Sequence, residues 1–333
     1  MPILDIFRDD AFSTVSLTDA ILKRPYQPGR LGALGLFRER GITTTTVMVE
    51  EKNGRLSLIA TSPRGGPASS IGQEKRTARS FVVPHLERDS MVLADEVQNV
   101  RAFGSENALD AVQAVINERL TDLRAMHEVT LEHLRIGAIK GLIVDADGAT
   151  PIYNLFTEFG VSQQTYEVDH TVSADEDLRN DVVAIQRLSE DELGAEMVTG
   201  YRAFCGDAFF DGFIAAKPVK ESLKFQRSEL LREDVRRGFE YGGVTWENYR
   251  GKVGSVEFVP TDEAYVVPMG TSIFATYFAP ADFIETVNTV GLPAYAKLAN
   301  DPEMNRWVKV HTQSNPLCLC LRPRAVIKVT LAT

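Results

Sequence analysis

The sequence predicts an α+β chain built of separate modules, and three observations carry that prediction. Residues 42–62, ITTTTVMVEEKNGRLSLIATS, place β-branched runs on both sides of an Asn53-Gly54 pair, the strongest short-range signal for a β-hairpin. Residues 105–140 carry one uninterrupted helical stripe. The rest mixes short strands and helices. The order of arm, hairpin, long helix and mixed region suits separate modules better than an alternating α/β sheet.

Taken in order, the N-terminal stretch holds Phe7, Phe12, Leu17, Ile21 and Leu22, which fit a short helix capped by Ser16 or Thr18 with Asp19 in its first turn. Pro25, Pro28, Gly29, Gly32 and Gly35 then keep the chain extended or turning. The hairpin follows, and after it comes SPRGGPASSIGQEKRTARS (62–80), polar and without apolar period. A two-stranded hairpin is marginal in water by itself. On a polar stalk it reads as an arm that gains its stability on another surface. Residues 80–85 read as a strand returning to the body.

The helix is expected from Ser105, its cap, to about Lys140. Leu109, Val112, Ile116, Leu120, Leu123, Met126 or His127, Leu131 and Leu134 recur at steps of three and four, with Gly137 and Gly141 marking the end. About 33 residues at 1.5 Å each span roughly 50 Å, a length suited to a structural spine. Beyond it, GLIVDADGAT reads as strand and turn. Helices are expected over Asp175–Leu193, from Asp207, and in PVKESLKFQ; short strands are expected over 236–278, with two or three more from Arg306 to Leu331.

Composition narrows the function classes. The chain has 333 residues, about two domains' worth, with 44% hydrophobic and 25% charged residues. A formal net charge of −10 argues against gripping nucleic acid by bulk charge. No apolar run approaches the ~20 residues of a membrane span. The first residues lack the basic and apolar regions of a secretory signal. Three cysteines, Cys205, Cys318 and Cys320, form no disulfide framework and suit a reducing compartment as buried small hydrophobes.

Two segments imitate an active site. Leu142-Ile143-Val144-Asp145-Ala146-Asp147-Gly148 has the form of the nucleophile strand of haloacid-dehalogenase-type phosphatases, and Gly206-Asp207-Ala208-Phe209-Phe210-Asp211 resembles their Mg²⁺-binding motif. Four carboxylates and a phosphate need a balancing lysine, and none occurs from Gly141 through Ala216. Turn and cap roles explain the same residues. His127 and His133 stand six apart, where two-histidine zinc helices use four, and read as partly buried or surface imidazoles. No catalytic, cofactor-binding or metal site is expected.

The segments together resemble the major capsid proteins of lambda-type tailed bacteriophages. The matching stretches are RLGALGLF (30–37), GITTTTV (41–47), PRGGP (63–67), LADEVQNVRAFG (93–104), GLIVDADG (141–148), LFTEFGV (155–161), CGDAFFD (205–211), FEYGG (239–243), APADFIETVNTVGLPAYAK (279–297) and TQSNPLCLCLRP (312–323), in order over nearly the whole chain. The resemblance implies an HK97-like fold divided into an N-terminal arm (1–38), an extended hairpin and stalk called the E-loop (39–83), a peripheral domain with the spine helix (84–141), an axial domain (142–275), peripheral return strands (276–312) and C-terminal strands returning to the axial domain (313–333). It also makes DADG and GDAFFD structural parts of the family pattern.

The implied function is a structural one: hexamers and pentamers closing into an icosahedral shell around packaged DNA, with no sequence-specific DNA binding and no membrane. Scaffold, portal and decoration proteins are the implied partners. With no coiled segment ahead of the arm, a separate scaffold is expected. Assembly would take place in the bacterial host cytoplasm and end in the virion. An encapsulin-like compartment is the nearest alternative. Expected assembly contacts are Thr44, Thr46, Asn53, Gly54, Arg64, Gly65, Gly66, Lys75, Arg76 and Arg79, all on the hairpin and its stalk.

Overall fold

A computed structural model describes residues 12–23, 29–52, 76–97, 108–169, 175–194, 196–225 and 235–332. In chain order its elements are α1 (Thr14–Leu22), α2 (Arg30–Ala33), β1 (Arg38–Gly41), β2 (Thr46–Lys52), β3 (Arg76–Val82), β4 (Leu86–Leu93), α3 (Ala94–Val97), α4 (Ala108–Lys140), β5 (Leu142–Val144), β6 (Pro151–Asn154), α5 (Leu155–Phe159), β7 (Gln164–Val168), α6 (Asp175–Leu193) and β8 (Gly200–Cys205). They continue as α7 (Asp207–Ala215), α8 (Lys217–Phe225), β9 (Phe239–Tyr241), β10 (Val244–Asn248), β11 (Lys252–Val253), β12 (Val256–Glu257), β13 (Glu263–Met269), β14 (Phe274–Phe278), β15 (Tyr295–Asn300), β16 (Trp307–Ser314), β17 (Pro316–Cys320) and β18 (Ile327–Leu331). Two compact units result, one of residues 1–47, 81–133 and 275–318, the other of residues 48–80, 134–274 and 319–333.

In the first unit a three-stranded antiparallel sheet, in the order β15-β16-β4, is covered on one face by helices. Successive strand residues alternate faces, so Val308, Val310 and Thr312 of β16 turn inward. Val310 shares one core cluster with Val92 and Ala296 of the flanking strands, with Ile116, Leu120 and Leu123 of α4 and with Leu17 and Ile21 of α1. From Ile116 on, the α4 stripe therefore falls where its period put it. Its sixth step is His127, which is buried, while Met126 is exposed. The Ser13 side chain caps α1 by accepting from Ser16 N, one turn ahead of the expected caps. The glycine-rich stretch after it, expected to be extended or turning, contains a short helix, α2. Its first turn is fixed by Glu132, whose carboxylate accepts from Leu31 N at 2.8 Å.

The second unit is organised by a six-stranded mixed sheet, β7-β18-β13-β8-β10-β9. The pairs β7–β18 and β8–β10 are parallel, and the others antiparallel. One face presents Ala203, Cys205, Val244, Trp246, Ala264, Val266, Ile327 and Val329 to α6 and α7. Phe209 and Phe213 of α7 stack on Trp246, with the Phe213 and Trp246 ring centroids 4.1 Å apart. The indole N–H of Trp246 donates to Tyr241 O at 3.1 Å, so the ring is buried with its polar atom satisfied.

Helix α4 runs through Gly137 and stops at Gly141, whose φ of +79° suits glycine and turns the chain into β5. Ser105 and Glu106 lie outside the described residues. So do Asn53-Gly54 and the expected return strand of the hairpin. The partner that β2 does show is β3, which takes in residues 76–80 of the segment expected to be a polar stalk. Strand pairing uses backbone groups, so polar side chains do not prevent it. Strands β1, β4, β6, β7, β8 and β15 were not anticipated.

Candidate assembly surface

The ribbon β2–β3 is a two-stranded sheet, and no third strand joins it among the described residues. Its root is apolar and enclosed: Val47, Phe81 and Val83 are buried. Val83 N donates to Thr45 O at 2.9 Å, and the Thr44 hydroxyl donates to Thr46 O at 2.7 Å. Met48, the next residue of β2, is exposed, and so is Val82, which stands between Phe81 and Val83 on the ribbon's other face. The fold thus buries one face of the ribbon here and leaves apolar side chains on the other uncovered, as a contact surface requires.

Of the ten residues expected to reach a neighbour, Thr44 and Thr46 lie at the entry to β2, and Arg76 and Arg79 lie in β3. Asn53, Gly54, Arg64, Gly65, Gly66 and Lys75 lie outside the described residues. Arg79 has work within its own chain. Its guanidinium sits 5.2 Å from the Phe159 ring centroid and donates to the Glu158 carbonyl, at the C-terminal end of α5. A cation is favoured there by the helix dipole and by the ring face. The helix itself is fixed by Asn154, which accepts from Phe156 N and Thr157 N, and by Gly160 at φ +63°. Arg79 therefore holds β3 to a well-capped helix.

The carboxylates that imitate a phosphatase are committed to structure. Asp147 Oδ1 accepts from Ala149 N at 2.9 Å and Thr150 N at 2.8 Å, and Oδ2 from the Thr150 hydroxyl at 2.5 Å. The Thr150 bond, followed by the backbone bonds, holds its pKa down to about 2. Asp145 accepts from Ala146 N, and its carbonyl accepts from Gly148 N, closing the turn between β5 and β6. Asp207 opens α7, accepts from Asn248 Nδ2 at 2.9 Å and faces Arg250 Nε at 3.3 Å. Asp211 is exposed on the same helix. Among the described residues no three His, Cys, Asp or Glu side chains are grouped to hold a metal ion, and no helix is long and apolar enough to cross a membrane.

The cysteines are buried thiols, and burial pushes the Cys320 pKa up to about 12. Histidines 127 and 133 are both buried, more deeply than the sequence implied. His127 Nε2 lies 3.0 Å from the Thr312 hydroxyl of β16, and burial, then Arg124, lower its pKa to about 4.

One surface escaped sequence reasoning. The loop after β14 exposes Ile284, Val287 and Val290. These aliphatics recur every third residue, a step that a helical stripe also shows, so the sequence pattern held no signal of their exposure.

Solved structures share this fold. A candidate capsid protein of a prophage in Escherichia coli CFT073 superposes with a TM-score of 0.58 at 13% identity, covering 96% of this chain and 99% of that one. The capsid of cyanophage P-SCSP1u matches at a TM-score of 0.50 and 11% identity, over 90% and 87% of the two chains. The major capsid protein of Pseudomonas phage KPP10 is 27% identical over 340 residues, covering 95% of this chain and 96% of its own length. That of Salmonella phage Felix O1 is 23% identical over 356 residues, covering 96% of each. Residues 13–331 match the family described as phage major capsid protein E, so the chain belongs to that family: it is a structural protein of the phage head shell in the virion, and not an enzyme.

Proposed function

We propose that this chain builds the head shell by laying its ribbon and the segment 53–75 on a neighbouring copy, within hexamers and pentamers that close around packaged DNA. The single observation that carries this reading is the ribbon itself. A two-stranded sheet with one face buried and apolar residues exposed on the other leaves that second face to be covered by another surface. Obligate interfaces commonly bury more than ~2,000 Å² in total, and an extended arm supplies area that a compact body cannot. Such a ribbon also exposes strand edges, a liability that docking on a neighbour removes.

In this reading the first compact unit is the peripheral part and the second the axial part. Thr44 and Thr46 set the ribbon's base and Arg79 braces β3; Arg76, at the far end of β3, and the glycines and basic residues of 53–75 make the distal contact. A net charge of −10 suits a container that holds DNA without gripping it. Scaffold, portal and decoration proteins would join during assembly in the host cytoplasm. Family membership disfavours the encapsulin-like alternative. Deletion of residues 50–75 tests the reading. The body is expected to stay folded by circular dichroism while closed shells disappear from sedimentation profiles and micrographs. Normal closed shells from the deletion would overturn it.

A further inference from the structure

The loop between β14 and β15 presents its apolar residues outward on a rigid frame. Ile284 is 92% exposed, Val287 63% and Val290 60%. A large aliphatic side chain almost wholly in water contributes nothing to the fold that carries it. Yet the backbone beneath is tied down at each end. Asp282 N donates to Gln313 Oε1 at 2.9 Å, and the Thr286 hydroxyl donates to Ala281 O at 2.6 Å. The Thr289 hydroxyl donates to Thr286 O at 2.7 Å, and Asn288 makes the turn at φ +60°. Gly291 N donates to Ile42 O at 2.8 Å, and Leu292 N to the Tyr295 hydroxyl at 2.9 Å. Order is thus built into a segment that buries little, which lowers the entropy lost when it binds.

We infer that the tip of this loop is a contact between copies of this chain, made tip to tip inside the shell. Charge points to that occupant. From Phe283 to Leu292 the only ionisable residue is Glu285, and Lys297 neutralises it at 2.8 Å. On a chain of net charge −10, a neutral aliphatic tip is a place where identical surfaces meet without repulsion. Area sets the context. The exposed aliphatic surface is on the order of 300 Å² per copy, so a single pair of tips falls short of the ~1,000 Å² of a standing interface. The contact therefore belongs to the assembled shell and does not pair free chains.

The inference rests on the shell-building role. Its test introduces one cysteine at a time, Ile284→Cys, Val287→Cys and Val290→Cys, in the full chain expressed with its genomic neighbours. The native thiols are buried, so the new one is the reactive one. Oxidised shells from at least one variant are expected to release disulfide-linked copies of the chain on a non-reducing gel, and the unassembled chain only monomer. Only monomers from intact shells at all three positions, or linkage only to a different protein, would overturn the inference. In parallel, Ile284→Asp is expected to leave the melting temperature of the free chain unchanged and to cut closed-shell yield more than about tenfold, because it buries an unpaired charge at the contact. Undiminished yield would also overturn it. Failure of the unsubstituted chain to form shells would instead sink the shell reading, and this inference with it.

Discussion

The aromatic core around Trp246 and the loop tip around Ile284 are both rich in large apolar side chains, and they differ in what covers them. Trp246 is wholly buried, stacked on Phe209 and Phe213, with its N–H bonded. Ile284 is uncovered, on a backbone held almost as firmly. The comparison separates two uses of hydrophobic surface in one chain. Where the chain covers it, the side chain stabilises the subunit; where the chain leaves it open, it is free to stabilise the assembly. The β2–β3 ribbon contains both uses within one element, since Val47 and Phe81 are buried on one face and Met48 and Val82 are exposed on the other.

Substitutions at covered positions should therefore strike folding, and those at open positions assembly. The largest effect is expected from Leu120→Asp or Leu123→Asp. Each places an unpaired carboxylate in the core between α4 and the β15-β16-β4 sheet, and soluble, cooperatively unfolding chain should not be recovered. Recovery of such chain would break the division at its strongest point. Next comes Trp246→Ala, expected to cost about 3–5 kcal/mol in denaturant unfolding of the free chain through lost burial and the cavity left behind.

His127 gives a smaller and pH-dependent effect. The folded chain holds it neutral, with a pKa lowered to about 4 mainly by burial, against 6.5 when unexposed to that burial. The unfolded chain thus binds the proton more readily between those values. Stability from this site is complete above pH 6.5, falls as pH drops toward 4, and levels off below, with a loss of at most about 3 kcal/mol. His127→Gln should flatten that part of the stability profile measured from pH 4 to 7; an unchanged slope would show that another group governs it. At the small end, Ile284→Asp should barely move subunit stability while reducing shell yield, which is the comparison in its sharpest form.

Much of the fold was legible because its signals are local. The helix Asp175–Leu193 starts and stops where the amphipathic pattern does, and the Asp-Ala-Asp-Gly turn has the geometry that Asp and Gly favour. The less legible parts depend on distant partners. Strand β7, QTYEV, alternates polar and apolar residues weakly and exists because β18, more than 150 positions away, runs parallel beside it. Glu132 and Arg135 are buried charged residues on α4, and only tertiary structure brings Leu31 N to the Glu132 carboxylate. The place of Arg79 over Phe159 needed the positions of β3 and α5 together. The loop tip was missed because exposure cannot be read from composition.

A cryo-electron microscopy reconstruction of the assembled shell tests the central claim most directly. Density for residues 53–75 should continue from the β2–β3 ribbon onto a neighbouring copy, with the ribbon's root unchanged. Density that folds 53–75 back onto the chain's own body, with no neighbour in contact, would contradict the account.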